Sequence, residues 1–414
     1  MTWHNFNLDR YQKECILDDS SRLLIIARAG SGKTHTMVAK ALYLVTEKGV
    51  KPEELEFLAF NRKAAAEINE RLNVQVEGLK LADTFHALAL RLSGVASDKV
   101  LENLENPDEE NEDLIDYRQV FALAAEKVKK LRGDYGIKSQ GRIIYPNRLK
   151  YLIIDEYQDF TASYYQVIKA ILKHNPVCKL ICIGDDWQAI NGFAGAQVEF
   201  FLNFKKYFPE AKILHLPVNY RCAKKIVEAA GNFMTAEYLN GRREHKITAA
   251  RRNRAAIKII YEKQIREIGR NGYFGKLGDI LLRQTKKFRK KPDGKIAILV
   301  RCNKVFGLSL DYLRLQIANF LEQYGSKLKV EVSTIHKYKG KQADTVIVFP
   351  AVKKILPLKG NDPDEEKRLF YVAVTRAQNE LYFLTDAEEP SPYLAGLRKD
   401  WRRELSQYVQ RLAE

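Results

Sequence analysis

A chain of 414 residues has the length of two or three domains, and with 46% hydrophobic residues it can pack their cores. The formal net charge of +17 calls for a polyanionic partner. No apolar run approaches the ~18–20 residues of a membrane span, and MTWHNFNLDR lacks the blocks of a signal peptide, so no membrane partner and a cytoplasmic location are expected.

The five cysteines, Cys15, Cys178, Cys182, Cys222 and Cys302, are scattered and lack CxxC spacing. They indicate neither a disulfide framework nor a zinc site, and are expected to be reduced core residues. Charge is unevenly placed. Gly241–Val300 carries 18 Lys or Arg against 5 Asp or Glu, whereas Leu101–Asp116 holds eight acids and no base. The acidic run reads as a solvated face and the basic run as a nucleic-acid footprint.

In chain order, Asn7–Leu17 reads as a short helix bearing Gln12, whose amide can both donate to and accept from an adenine edge. Leu23–Ile26 is an apolar run that reads as a buried parallel strand. It ends in ARAGSGKTH, where Gly30 and Gly32 let successive N–H groups turn inward beside Ala29, Ser31 and His35. Lys33 then places an ammonium on the β and γ phosphates, and Thr34 offers a hydroxyl to Mg²⁺. The helix beginning there adds its positive end. Ala27 replaces the usual first Gly of this pattern, yet strand, loop and helix follow in the order that a phosphate needs.

Leu55–Phe60 reads as a second strand, Asn61–Leu72 as a helix, and Asp83–Leu90 places Thr84, Phe85 and His86 at a strand end. Ser93–Asn147 carries the acidic run, a helix-like YRQVFALAAEKVKKL and a Gly-rich turn, and reads as an insertion. Tyr151–Phe160 restores the pattern, a buried strand ending in Asp155 and Glu156. At the carboxyl end of a parallel strand one carboxylate can hold the metal and the next can polarise the attacking water. Lys179–Ile183 leads into GDDWQAINGFAGA, where Gln188 can orient water or the γ-phosphate and Trp187 and Phe193 are candidates for stacking on bases.

Beyond that segment the alternation resumes. Strand candidates at Lys212–Leu216, Ile257–Tyr261, Ile296–Val300, Val330–Val332, Thr345–Phe349 and Leu381–Thr385 are separated by helical stretches, which predicts a second α/β domain with a parallel sheet. It has no second phosphate loop. Instead it offers Arg221 in VNYRC and Arg376 in YVAVTRA, guanidinium groups suited to a transferring γ-phosphoryl group. VSTIHKYKG at Val332–Gly340 reads as a strand entering a loop that contacts nucleic-acid phosphates.

The ordered set Gln12, AGSGKT, AFNRKAAAEI, DTFHALA, IIDEYQD, GDDWQAINGFAGA, NYR, STIHKYKGKQAD and RLFYVAVTRA resembles the UvrD/Rep family of superfamily 1 helicases through the whole chain. The resemblance implies two tandem RecA-like domains, ATP and Mg²⁺ bound between them, single-stranded DNA crossing both, and 3′-to-5′ movement. It assigns Gln12 to adenine, the Ala29–His35 loop to the phosphates, Thr34 and Asp155 to the metal, and Glu156 to the water. Gln188 would couple nucleotide to DNA, Arg221 and Arg376 would be the arginine fingers, and Gly340 and Gln342 would lie on the nucleotide side. Phe60, Arg62, Thr84, His86, Phe193, Thr334 and His336 fall where family members touch DNA.

Phe193 stands where a Trp is usual, Gln342 where a Glu is frequent, and Arg28 where a small Gly is often found. Domains are expected at 1–92 with 148–214, and at 215–400, with a small, mostly helical insertion at 93–147 and a C-terminal helix at 401–414. Val305–Lys329 is far too short for the family's second accessory insertion. Two functions follow as expectations. The chain is an ATP-dependent translocase or helicase acting on single-stranded or tailed DNA, or it is a DNA-stimulated ATPase switch recruited by a partner such as a nuclease.

Overall fold

The computed structural model describes residues 3–100, 116–139, 141–237, 246–253, 255–289 and 293–397. The acidic run before Asp116, residues 241–245, 254 and 290–292 of the basic run and the expected helix at 401–414 lie outside the described residues. The chain divides into two compact units, Met1–Ala27 with Gly32–Leu216, and Arg28–Ser31 with Pro217–Glu414.

The first unit runs α1 (Arg10–Leu17), β1 (Arg22–Ala27), α2 (Lys33–Thr46), β2 (Leu55–Ala59), α3 (Arg62–Gln75), β3 (Ala82–Thr84) and α4 (Phe85–Ser93). It continues with α5 (Tyr117–Lys130), β4 (Ile137–Ser139), β5 (Arg142–Ile144), β6 (Tyr151–Ile154), α6 (Ala162–His174), β7 (Lys179–Gly184), the short α7 (Glu199–Leu202) and α8 (Phe204–Tyr207), and β8 (Lys212–Leu216). Its six-stranded sheet has the order β3-β2-β6-β7-β1-β8 with every pair parallel. Because side chains alternate across a strand, Leu23 and Ile25 pack with Met37, Leu42 and Ile68 on one face, while Leu24 packs with Phe121, Ile168 and Phe204 on the other. Both faces are covered, which is why the strands read as continuous apolar runs.

Lys212–Leu216, which the sequence pattern assigns to the second alternation, instead closes the first sheet, pairing with β1 from Leu23↔Lys212 to Ala27↔Leu216. The Gly-rich turn expected after the helix of the insertion is a hairpin in which β4 and β5 pair antiparallel. Arg142 on β5 anchors it: its guanidinium meets the fully buried Glu56 carboxylate on β2 at 2.9 Å and donates to the carbonyls of Leu55 and Leu81 at 2.7 and 2.9 Å. A carboxylate inside an apolar strand is tolerated because this cation follows it inside.

The second unit adds β9 (Val218–Asn219), α9 (Lys224–Glu237), β10 (Thr248–Ala249), β11 (Ala256–Tyr261), α10 (Gly275–Phe288), β12 (Ile296–Val300), β13 (Lys304–Val305) and β14 (Leu308–Ser309). It ends with α11 (Leu310–Gln323), β15 (Val330–Thr334), β16 (Ala343–Val348), α12 (Pro363–Thr375) and β17 (Ala377–Thr385). Its five-stranded sheet, order β11-β17-β16-β12-β15, is also wholly parallel. Ile298, Ile347 and Tyr382 pack against α10 and α11, while Phe383 stacks on Phe370 of α12. The fold is α/β, two parallel sheets flanked by helices. Among the described residues no helix is long and apolar enough to cross a membrane. Four cysteines are buried and free as expected, but Cys302 is only half-buried, so it is not a core residue.

Candidate nucleotide site and nucleic-acid interface

In the first unit, β1 delivers the chain to Gly32, whose φ of 82° opens α2. A Cβ there would fall in the left-handed region and 3.0 Å from the Gln12 amide nitrogen, so glycine is required. Lys33 and Thr34 are the first two residues of α2, at its positive end. Gln12 is buried, and its carbonyl oxygen accepts from the Asp9 backbone N–H at 3.0 Å in a capping box that starts α1. The oxygen assigned to adenine therefore serves the helix cap here. His35 is half-buried, its ring 4.8 Å from that of Phe6.

Asp155 and Glu156 follow β6 at the carboxyl edge of the sheet. Asp155 is buried, and burial followed by repulsion from Glu156 pushes its carboxyl up to about 7, against the pull of Lys33. Glu156 adopts a φ of 50°, a left-handed conformation that a residue with a Cβ rarely holds. Its carboxylate lies 3.4 Å from the Lys33 ammonium. The loop lysine and the paired acids are therefore assembled into one cluster inside the first unit.

Two residues that sequence reasoning passed over complete this cluster. Gln158 donates from its amide to the Glu156 carboxylate and accepts from the Asp185 backbone N–H at 2.9 Å. Asp185 in turn accepts from the Gln188 amide at 2.6 Å. Gln158, Asp185 and Gln188 are all buried. The signal that could have found them is two polar side chains just beyond apolar strands, in positions where burial demands partners.

The residues assigned to DNA divide by exposure. Phe193, in the turn Gly192–Ala194, is 77% exposed, whereas Trp187 is buried, so Trp187 is not a stacking platform. Phe60 is half-buried at the end of β2, and Arg62 is exposed at the start of α3. Thr84 is buried and its hydroxyl accepts from the Ala87 N–H at 3.1 Å, capping α4. His86 sits edge-on to Tyr117 of α5 at 4.4 Å and close to Phe121 and Tyr164. Burial and the Arg62 charge hold its imidazole below the usual range.

In the second unit, the Ala29 carbonyl accepts from the Asn219 amide at 2.6 Å and the Gly30 carbonyl from the Tyr220 N–H at 2.8 Å. Gly30 has a φ of 74°, and a Cβ on it would approach the Arg221 Cβ to 2.8 Å. Arg221 and Arg376 meet at the end of α12: Arg221 donates to the Thr375 carbonyl at 3.4 Å, and Arg376 to the Thr375 hydroxyl at 3.1 Å. Arg376 is only 1% exposed and also donates to the carbonyls of Val372 at 3.0 Å and Lys341 at 3.4 Å. The Arg221 Nε is buried without a partner. Gly340, with a φ of 85°, and the exposed Gln342 flank Lys341.

Thr334 is buried at the end of β15 and caps the following turn by accepting from the Lys337 N–H at 3.3 Å. His336 is half-buried, and burial with the neighbouring Arg301 pushes its imidazole down to about 4. Arg301 itself forks onto the buried Glu366, its Nε 3.0 and 3.1 Å from the two oxygens.

Comparison with known proteins bears on both units. A family model described as an AAA domain matches residues 12–194, and one described as the UvrD-like helicase C-terminal domain matches residues 314–388. Over 94% of its length the chain is 27% identical to DNA helicase IV of Escherichia coli (strain K12), covering 70% of that protein. It is 24% identical over 95% of its length to a probable DNA helicase of Mycoplasma pneumoniae, covering 87% of it. A stretch of 54% is 26% identical to ATP-dependent DNA helicase PcrA of Staphylococcus aureus (strain NCTC 8325), with 39% of that protein covered. The first match spans the loop, the paired acids and Gln188, and the second runs from within α11 to just beyond β17 and includes Arg376. The chain belongs to the UvrD-like superfamily 1 DNA helicases, P-loop enzymes that hydrolyse ATP on RecA-like domains.

Proposed function

We propose that this chain is an ATP-driven motor that moves 3′ to 5′ along single-stranded DNA and separates tailed duplexes. The observation that carries this reading is the cluster at the carboxyl edge of the first sheet, where Lys33 and Glu156 stand 3.4 Å apart beside the buried Asp155. A phosphate entering the loop competes with Glu156 for the Lys33 ammonium. Glu156 is then left to accept a proton from the attacking water, so phosphate binding and base activation are linked by one ion pair.

Thr34 and Asp155 fit a Mg²⁺ ion. They are a hydroxyl and a carboxyl, hard oxygen donors, and a cation beside Asp155 would offset the burial and the Glu156 repulsion that push its carboxyl up. When bound, the ion would neutralise charge on the phosphates. Lys33 orients the terminal phosphates, and Gln188 relays their presence toward Phe193, five residues on. Arg221 and Arg376 act on the γ-phosphoryl group, and the unpartnered Arg221 Nε is a donor in search of an acceptor. Gln12 selects adenine once its cap bond to Asp9 is exchanged for the base.

Phe193 supplies a stacking face to the bases, with Arg62, Phe60 and His86 as further DNA contacts of the first unit; His336 is a DNA contact of the second unit, and Thr84 and Thr334 shape the turns that present the two histidines. Gly340 and Gln342 line the nucleotide side. The motor is tested by duplexes carrying either a 3′ or a 5′ single-stranded tail, with ATP. Strand release from the 3′-tailed substrate alone is expected, and release from only the 5′-tailed substrate overturns the direction.

A second reading has its own support. Between β12 and β15 the second unit holds only a two-strand ribbon and α11. With so little there to engage a duplex, the chain would hydrolyse ATP on single-stranded DNA and act as a switch for a partner such as a nuclease. Hydrolysis without strand release from either tailed duplex would favour it.

A further inference from the structure

We infer that Gln158 is a positioning residue for ATP hydrolysis, holding the Glu156 carboxylate and tying it through Asp185 to Gln188. The inference rests on the reading of Glu156 as the base. Gln158 is fully buried, and each end of its amide is used. The nitrogen donates to Glu156, and the oxygen accepts from the Asp185 N–H at 2.9 Å. The Asp185 side chain accepts from the Gln188 amide at 2.6 Å and also from the Trp187 N–H at 3.3 Å. A continuous chain of hydrogen bonds therefore runs from the carboxylate after β6 to the amide after β7.

Two backbone features hold this geometry in place. Glu156 sits at a φ of 50°, and its carbonyl accepts from the Asp159 N–H at 2.9 Å, so the turn aims Glu156 and Gln158 at each other. Gly184 leaves the room that the amide fills: a Cβ there would lie 2.5 Å from the Gln158 oxygen and 2.9 Å from the Phe201 ring. An amide serves both ends at once, because it can donate to a carboxylate and accept from an N–H. A carboxylate at 158 would keep the second bond and repel Glu156. Gln188 is thereby connected to the base as well as to the phosphate it senses, so a shift of the turn at Asp186–Gln188 is felt at Glu156.

The test is steady-state hydrolysis by the full chain with saturating single-stranded DNA, comparing wild type, Gln158→Met, Gln158→Glu, Gln188→Ala, Glu156→Gln and the Gln158→Met/Gln188→Ala double variant. A carboxylate displaced by about 1 Å loses about 10²-fold in kcat. That loss is expected in both Gln158 variants, with ATP KM and affinity for a non-hydrolysable ATP analogue within about threefold of wild type. The double variant is expected to lose no more than the worse of its two singles, because residues in one relay do not act independently.

Wild-type kcat in Gln158→Met, or in Gln158→Glu should the Met variant fail to fold, overturns the inference. So does equal loss of kcat and analogue binding, which marks a merely structural residue. Full additivity in the double variant overturns the link to Gln188. Glu156→Gln separates the two claims: if it retains turnover, the assignment of the base fails, whereas if it is dead and Gln158→Met is fully active, only the positioning role fails.

Discussion

Replacing Arg142 with methionine would strand a carboxylate in the core of the first unit. Glu56 has no exposed side-chain surface, and the Arg142 guanidinium pairs with it at 2.9 Å. Removing one partner of a buried pair costs about 3–5 kcal/mol. The lost donors to the Leu55 and Leu81 carbonyls push the cost toward the top of that range, since an unpaired buried acceptor costs about 1–3 kcal/mol.

Proton uptake limits the loss. Burial already pushes the Glu56 carboxyl up to about 7 with the guanidinium beside it, and removing that charge raises it further. The folded state of Arg142→Met then holds a proton that the unfolded chain releases above 4.5, so its stability falls as pH rises through this interval and beyond. Urea unfolding read by hydrogen exchange at residues 55–59 and 82–84 isolates the unit concerned. The midpoint is expected to drop by about 1–2 M at pH 8 and by less at pH 6. The Glu56→Leu/Arg142→Met double variant is expected to recover most of the loss. A drop below about 1 kcal/mol in the single variant, or a penalty equal at both pH values, would refute the reasoning.

Four further outcomes follow. Phe193→Ala removes an exposed stacking face and should weaken single-stranded DNA binding by about 1–3 kcal/mol with nucleotide affinity kept, as fluorescence anisotropy would report. Gly32→Ala should abolish binding of a fluorescent ATP analogue, because it places a Cβ at left-handed φ beside Gln12; retained binding would mean that the loop is not the phosphate site. Arg376→Ala should cost about 10³-fold or more in kcat if it acts as a finger, whereas a small kcat loss with a lowered melting temperature would make it a cap of α12 alone. His336 is held near 4 in the folded protein against 6.5 unfolded, so the unfolded chain binds more protons between those values and stability should fall as pH drops from 6.5 toward 4. His336→Gln should remove that part of the acid sensitivity seen in urea midpoints.

The nucleotide loop was legible because its chemistry is local. A strand, a glycine turn and a lysine opening a helix sit within a few residues, and no distant partner is needed to interpret them. The same holds for Asp155 and Glu156 at a strand end. Lys212–Leu216 reads as a strand of the renewed alternation, straddling the expected boundary at 214/215, because strand type is written in a segment but strand order is not: its place depends on β1, nearly two hundred residues earlier. The local sequence offers both Trp187 and Phe193 as aromatics in a Gly-rich segment, and only the resemblance favours Phe193; a side chain's direction in an irregular turn is set by tertiary packing, which buries one and exposes the other.

Glu56 did carry a signal. A charge in the middle of LEFLA is either an exposed strand face or a buried group with a partner, and Arg142 could not be identified while β4 and β5 were read as a turn. Gln158 was hidden for a different reason. Its role depends on the left-handed backbone at Glu156, and a non-glycine residue gives no sequence hint of that conformation. Thr84, Thr334 and Gln12 fall at the predicted elements, but their polar atoms are spent on helix and turn caps that pattern reading does not separate from ligand contacts.

The central claim is that the Lys33, Asp155 and Glu156 cluster hydrolyses ATP in response to single-stranded DNA. Its most direct test is steady-state ATP hydrolysis by the purified chain with and without a single-stranded oligonucleotide, with Lys33→Ala as the blank. The account predicts strong stimulation by DNA in the wild type and none in Lys33→Ala. Equal rates with and without DNA, or turnover surviving in Lys33→Ala, would contradict it.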